Sequence, residues 1–240
     1  VGCRANLRRH KVLAIVLIIL AALVALAFLP QMWVKSVIKR HSAERSDFPG
    51  TGGEFARHLL DEMQLGHVKV EQTDDGDHYD PVSKTVRLLP QHYNGRSLSG
   101  VVIAAHEVGH AMQDATGYRP LVHRTQLARQ AQRIETLGSI VMLIAPVVMI
   151  LSKAPFMMLV MLAAGMLILS FTILMHALTL PVEFDASFAR AMPVLEAGGY
   201  LAEEDMKSAR EILRAAAYTY VAAAAISLLD VMRWLRVLRF

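Results

Sequence analysis

Cysteine is nearly absent from this chain: Cys3 is the single one among 240 residues. That excludes an internal disulfide and a zinc site built on thiolates. No apolar segment precedes Cys3, so a lipidation site is set aside. The chain also lacks nucleic-acid motifs, internal repeats and low-complexity segments, and its formal net charge of +4 is small, so no nucleic-acid partner is expected. No small-residue cleavage site follows the first apolar run, where Pro30-Gln31-Met32-Trp33 stands instead. This argues against a cleaved signal peptide.

What the chain has in quantity is apolar sequence. Hydrophobic residues make up 54% of it, and its mean hydropathy is +0.37. The apolar residues gather into runs at 12–29, 136–151, 156–180 and 215–232. Arg8, Arg9, Lys11, Lys35, Arg233, Arg236 and Arg239 flank these runs, as anchors at anionic lipid headgroups would. The second run is short and holds Pro146; with the third it reads as a transmembrane hairpin with Lys153 at its tip. The expectation is a mainly α, multi-pass membrane protein of about four transmembrane helices carrying a small α+β polar domain. Its parts are a first span at 12–30, the polar domain at 31–135, the hairpin at 136–180, a helical segment at 181–214 and a last span at 215–232.

Within the polar domain, Thr51 with Glu54 three residues on reads as a capping box, opening an amphipathic helix that Gly66 ends. Val68-Lys69-Val70 and Thr85-Val86-Arg87-Leu88 read as strands, separated by turns at Asp74 to Asp77 and at Asp80-Pro81. Next comes Ala104-Ala105-His106-Glu107-Val108-Gly109-His110-Ala111-Met112-Gln113, an H-E-x-x-H motif. Leu98, Val101, Val102, Ala105, Val108 and Met112 repeat at helical spacing, and Ser97 or Ser99 can cap the start. On a helix, His106 and His110 lie one turn apart on one face and can share one metal ion. Zinc suits such a pair, with nitrogens at about 2.0–2.1 Å and one position left open for water. Glu107 stands beside His106, placed to take a proton from that water. The strand at 85–88, shortly before this helix, could pair with an extended peptide or could belong to a structural hairpin.

A catalytic zinc takes three protein ligands. The continuation that requires Gly at 113 and His at 116 fails, because Gln113 and Thr116 stand there. The window about twenty residues beyond His110 holds Arg129 and Gln130, and Glu135 falls a little late. Glu183 stands out in Leu180-Pro181-Val182-Glu183-Phe184-Asp185-Ala186-Ser187, where Pro181 can start or kink a helix. A carboxylate at the end of an apolar helix is a functional-site candidate, or it is an interfacial residue reaching to water. His78, Tyr79, His123 and His176 are candidate oxyanion donors or structural residues; Asp80 reads as a turn residue and the arginines at 124, 129 and 133 as a solvated or headgroup-facing surface.

These motifs, in this order over about residues 51–187, resemble the integral-membrane neutral zinc metallopeptidases of the YugP-like family. The shared segments include Thr51-Gly52, Ala56-Arg57, Leu60-Asp61, Asp77-His78-Tyr79-Asp80-Pro81, Val86-Arg87-Leu88, Ala104 to Gln113 and Leu180 to Ser187. The resemblance implies a zincin-like domain with metal ligands at His106, His110 and Glu183 and the catalytic base at Glu107. Glu183-x-x-Ala186 is also similar to the third-ligand helix of HtpX-like membrane proteases, which carry Asp one residue further on. Here that residue is Ser187, which leaves open what supports the ligand histidine and whether Asp185 substitutes.

The expected function is a membrane-embedded zinc-dependent endopeptidase with one Zn²⁺ per chain, a peptide or protein substrate, the lipid bilayer as surroundings and a larger membrane assembly as a partner. The alternatives are a zinc hydrolase of another amide or ester, and a non-enzymatic membrane partner protein with a structural or vestigial zinc site. The expected localisation is a bacterial-type cell membrane, multi-pass. The side carrying 31–135 and 181–214 is the more basic, which favours a cytoplasmic site, against the pull of Arg233, Arg236 and Arg239.

Overall fold

The computed structural model describes residues 28–128 and 155–219, together with residues 18, 21, 22, 25 and 130. Helix α1, Gly52–Glu62, opens on the expected capping box: the Glu54 amide donates to Thr51 Oγ1 at 3.3 Å and the Thr51 amide to Glu54 Oε2 at 2.8 Å. Two donors that a helix start would leave orphaned are thereby satisfied. The face carrying Ala56, Leu59 and Leu60 is buried and packs on the helix that bears the H-E-x-x-H motif.

Between these two helices in the chain comes a three-stranded sheet of β1 (Lys69–Gln72), β2 (His78–Asp80) and β3 (Thr85–Leu88), in the order β1-β3-β2. β3 pairs parallel with β1, Val86 opposite Val70, and antiparallel with β2, Val86 opposite Tyr79. The alternation of β3 puts Val86 and Leu88 into the core. β2 has no counterpart in the sequence reading, because three residues are too few to show a period. It also changes the role of β3, which is the central strand with a neighbour on each side. The edges of this sheet are β1 and β2. The Asp80 turn is as expected: its carboxylate accepts from the Val82 amide at 2.8 Å and the Ser83 hydroxyl at 2.7 Å.

A short helix α2, Pro90–Tyr93, leads into α3, Leu98–Ala115, capped by Ser97, whose Oγ accepts from the Gly100 amide at 3.1 Å. Every residue of α3 from Leu98 to Ala111 is buried, so this is the central helix, covered on all sides. It ends at Thr116 and turns at Gly117, whose φ of +63° suits a residue without a Cβ. Residues 119–128 are helical again. Helix α4, Pro155–Phe184, contains Pro181 and passes directly into a π-helical turn, Asp185–Ala191. Then come α5, Met192–Ala197, a 3₁₀ turn, Glu203–Asp205, and a helical stretch over 206–219. Leu195, Ile212 and Leu213 from these last elements close the core.

The multi-pass expectation is corrected here. Among the described residues, no helix is long and apolar enough to cross a membrane. The described fold is mainly helical with a small sheet, and no described helix supports the expected integral-membrane localisation or its orientation. Hydropathy counts apolar side chains and is blind to what covers them. On the helix that carries the third run both cases occur: Val182, just past the run, is buried and its carbonyl accepts a hydrogen bond from Gln113 of α3, while Phe156, Leu167, Leu174 and Leu178 within the run are exposed. Most of the expected spans at 12–30 and 215–232, and residues 136–154 of the expected hairpin at 136–180, lie outside the described residues.

Candidate metal centre

His106 and His110 occupy consecutive turns of α3, and their ring centroids are 4.8 Å apart. Glu183, from the last turn of α4, brings its Oε2 to 3.2 Å from His106 Nε2 and 3.3 Å from His110 Nε2. One donor atom from each residue falls within 4.8 Å of the others. Donors set tetrahedrally about a zinc ion at about 2.0–2.1 Å would be spaced by roughly 3.3 Å, so the set has the size of a zinc site. All three side chains are buried, with exposures of 4%, 5% and 2% for His106, His110 and Glu183.

The surroundings fix which nitrogens face inward. Ser187 Oγ donates to the Leu213 carbonyl at 3.2 Å, so toward His106 it can only accept, from Nδ1–H at 3.1 Å. Gln113 Nε2 donates to the Val182 carbonyl at 2.8 Å and to Asp185 Oδ2 at 2.7 Å. Its Oε1 therefore accepts from His110 Nδ1–H at 2.9 Å. Both rings are pinned with Nδ1–H outward and Nε2 toward Glu183. Two imidazole nitrogens and a carboxylate oxygen thus aim their lone pairs at one point. Only a cation between them, a proton or a metal ion, relieves that arrangement. Burial alone would push Glu183 upward, but His110 and His106 hold it well below the ordinary carboxylate range. Glu107 behaves oppositely: burial pushes it up to about 8 against the pull of His106, with Glu183 and Asp77 adding to the rise. Glu107 is buried yet lies outside the converging set.

Residues 15–239 match a protein family described as "Putative neutral zinc metallopeptidase". The chain belongs to this family. It is also 34% identical over 218 residues to the "Putative membrane protease YugP" of Bacillus subtilis (strain 168), a match covering 90% of this chain and 93% of that one. No solved structure matches the chain. The family is one of zinc peptidases, and His106, His110 and Glu183 form a group that could hold a metal ion.

In this member of the zinc metallopeptidase family, Ser187 itself supports His106, and Asp185 reaches His110 through Gln113. Arg190 in turn holds Asp185, Nε to Oδ2 at 3.3 Å. The remaining sequence candidates go elsewhere. Tyr79 donates to Asp114 at 2.6 Å, tying β2 to α3. His78 Nδ1 sits 2.8 Å from the Gly76 carbonyl. His123 is exposed. Glu135 and the His176 side chain lie outside the described residues. Two residues of the site were not assigned from sequence. Gln113 follows His110 by three residues and so shares its helix face, a signal that was available. Arg124, read as surface, places NH1 3.3 Å from Glu183 Oε1; nothing local in the sequence marks it.

Gly109, between the two histidines, shows why this motif needs a small residue. A Cβ there would lie 2.7 Å from the Ala186 carbonyl oxygen, and the obstacle is backbone. Gly109→Ala is expected to push the π-helical turn off α3 and carry Glu183 with it. Overpacking of this kind costs about 1–3 kcal/mol. A urea melt should show that loss, and zinc titration an affinity at least about tenfold weaker.

Proposed function

We propose that this chain is a zinc-dependent endopeptidase, with His106, His110 and Glu183 as metal ligands and Glu107 as general base. The observation that carries the reading is the convergence of two tautomer-fixed Nε2 atoms on Glu183 Oε2, at 3.2 and 3.3 Å, in a buried site. When bound, zinc supplies a Lewis acid for the scissile carbonyl and the attacking water. Glu107 takes the water's proton on its carboxylate and passes it to the leaving amine. Ser187 and Gln113 keep both imidazoles in the ligating tautomer throughout. A purely structural zinc would have no use for Glu107, a carboxylate buried beside the ligands at evident cost. Strand β2 offers an extended substrate its outer edge: it borders α3 through the Tyr79–Asp114 bond, and the charge of Asp77, just before it, reaches Glu107.

The test is cleavage of casein by the purified chain before and after chelation. Cleavage that stops with chelator, returns with stoichiometric zinc and is absent from His110→Ala supports the reading. Cleavage indifferent to both chelator and His110→Ala would sink it. Zinc-dependent hydrolysis of esters with no peptide cleavage would move the activity to a different amide or ester.

A further inference from the structure

The two oxygens of Glu183 are treated very differently. Oε2 faces the histidines. Oε1 is buried and accepts no hydrogen bond, and what compensates it is charge: Arg124 NH1 at 3.3 Å. A buried acceptor left without a hydrogen bond costs about 1–3 kcal/mol, and the guanidinium at 3.3 Å is the group placed to offset that cost at Oε1. Arg124 is well placed to do this. It lies on the helical stretch 119–128, one turn beyond α3, anchored by the buried Leu121, and its side chain is only 23% exposed.

We propose that Arg124 is a positioning residue of the metal centre, holding Oε1 of Glu183 so that the carboxylate offers a single oxygen, Oε2, toward the histidines. The inference rests on the zinc reading above. Its consequence is steric as well as electrostatic. A carboxylate free to rotate about its Cγ–Cδ bond could present both oxygens to the ion and fill the position that water needs. Arg124 keeps that position open. It does so through Glu183, without touching substrate. A planar fork suits this task better than a point charge on a flexible stem, so lysine should replace it only in part.

The test compares wild type, Arg124→Gln and Arg124→Lys, each stripped of metal and checked for folding by circular dichroism. Zinc affinity is titrated, and the visible spectrum is recorded after loading with Co²⁺, whose absorption weakens as coordination number rises. Arg124→Gln is expected to bind zinc at least about tenfold more weakly, in the range for lost outer contacts to a ligand, with a severalfold weaker cobalt spectrum. Arg124→Lys should fall between it and wild type. If Arg124→Gln does not fold, the lysine variant carries the test through the same two readouts. A zinc affinity within twofold of wild type and a superimposable cobalt spectrum in the folded variant would overturn the role of Arg124 alone. Wild type that takes up neither ion would overturn the metal centre itself, and this role with it.

Discussion

Glu107→Gln is expected to lose about 10²–10⁴-fold in peptide hydrolysis, the usual contribution of a positioned general base, while keeping its full complement of zinc. Glutamine has the shape of glutamate but cannot take the proton. The two effects separate because Glu107 is buried beside His106 yet stands outside the group formed by His106, His110 and Glu183. The loss should appear in kcat, with KM little changed, because the proton is transferred only as the reaction proceeds. Steady-state kinetics on casein-derived peptides, with zinc measured on the same samples, checks both halves. Activity within a fewfold of wild type would remove Glu107 from the chemistry.

The same substitution should stabilise the metal-free protein, and do so only at high pH. Burial pushes the Glu107 carboxyl in the fold up to about 8, from an ordinary value of 4.5. A raised carboxyl imposes nothing below pH 4.5, where it is protonated folded and unfolded. As pH rises from 4.5 toward 8, the unfolded chain ionises while the folded one resists, and folding weakens throughout that window. Above about pH 8 the full penalty applies, on the order of 3–5 kcal/mol. Glutamine carries none of it. Metal-free Glu107→Gln should therefore melt with wild type at pH 4.5 and well above it at pH 8.5. Bound zinc, a cation beside the carboxylate, favours its ionised form and should shrink the gap. Equal melting at both pH values would show that Glu107 is not held in the dry environment described.

What the sequence could disclose followed from how locally each feature is written. The helix that carries His106 and His110 was legible because motif, apolar spacing and the Ser97 cap all fall within 98–115. The capping box of Thr51 and Glu54 was legible for the same reason. Glu183, 73 residues from His110, is legible only indirectly, through the failure of nearer candidates, its place at the end of an apolar run and a resemblance between motifs. The supporting contacts were less accessible still. Ser187 stands where the similar HtpX-like helix carries aspartate, and its fitness rests on the Leu213 carbonyl, a tertiary partner no spacing reveals. Arg124 sits in a basic helix that reads as solvated, and its turn inward is a property of the packed fold. β2 is too short for a period. The spans rested on hydropathy alone, which scores an apolar residue alike whether it is buried, as Val182 is just past the third run, or exposed, as Leu167 is within it.

Whether a zinc ion is held by two histidines of α3 and one carboxylate from the end of α4 is read out by elemental analysis of purified wild type and Glu183→Ala. About one zinc per chain is expected in wild type, as a three-ligand catalytic site requires, and almost none in Glu183→Ala, with the loss unrepaired by added zinc at about micromolar concentration. Full zinc in Glu183→Ala would contradict it, since the histidine pair would then be drawing its third ligand from elsewhere in the chain.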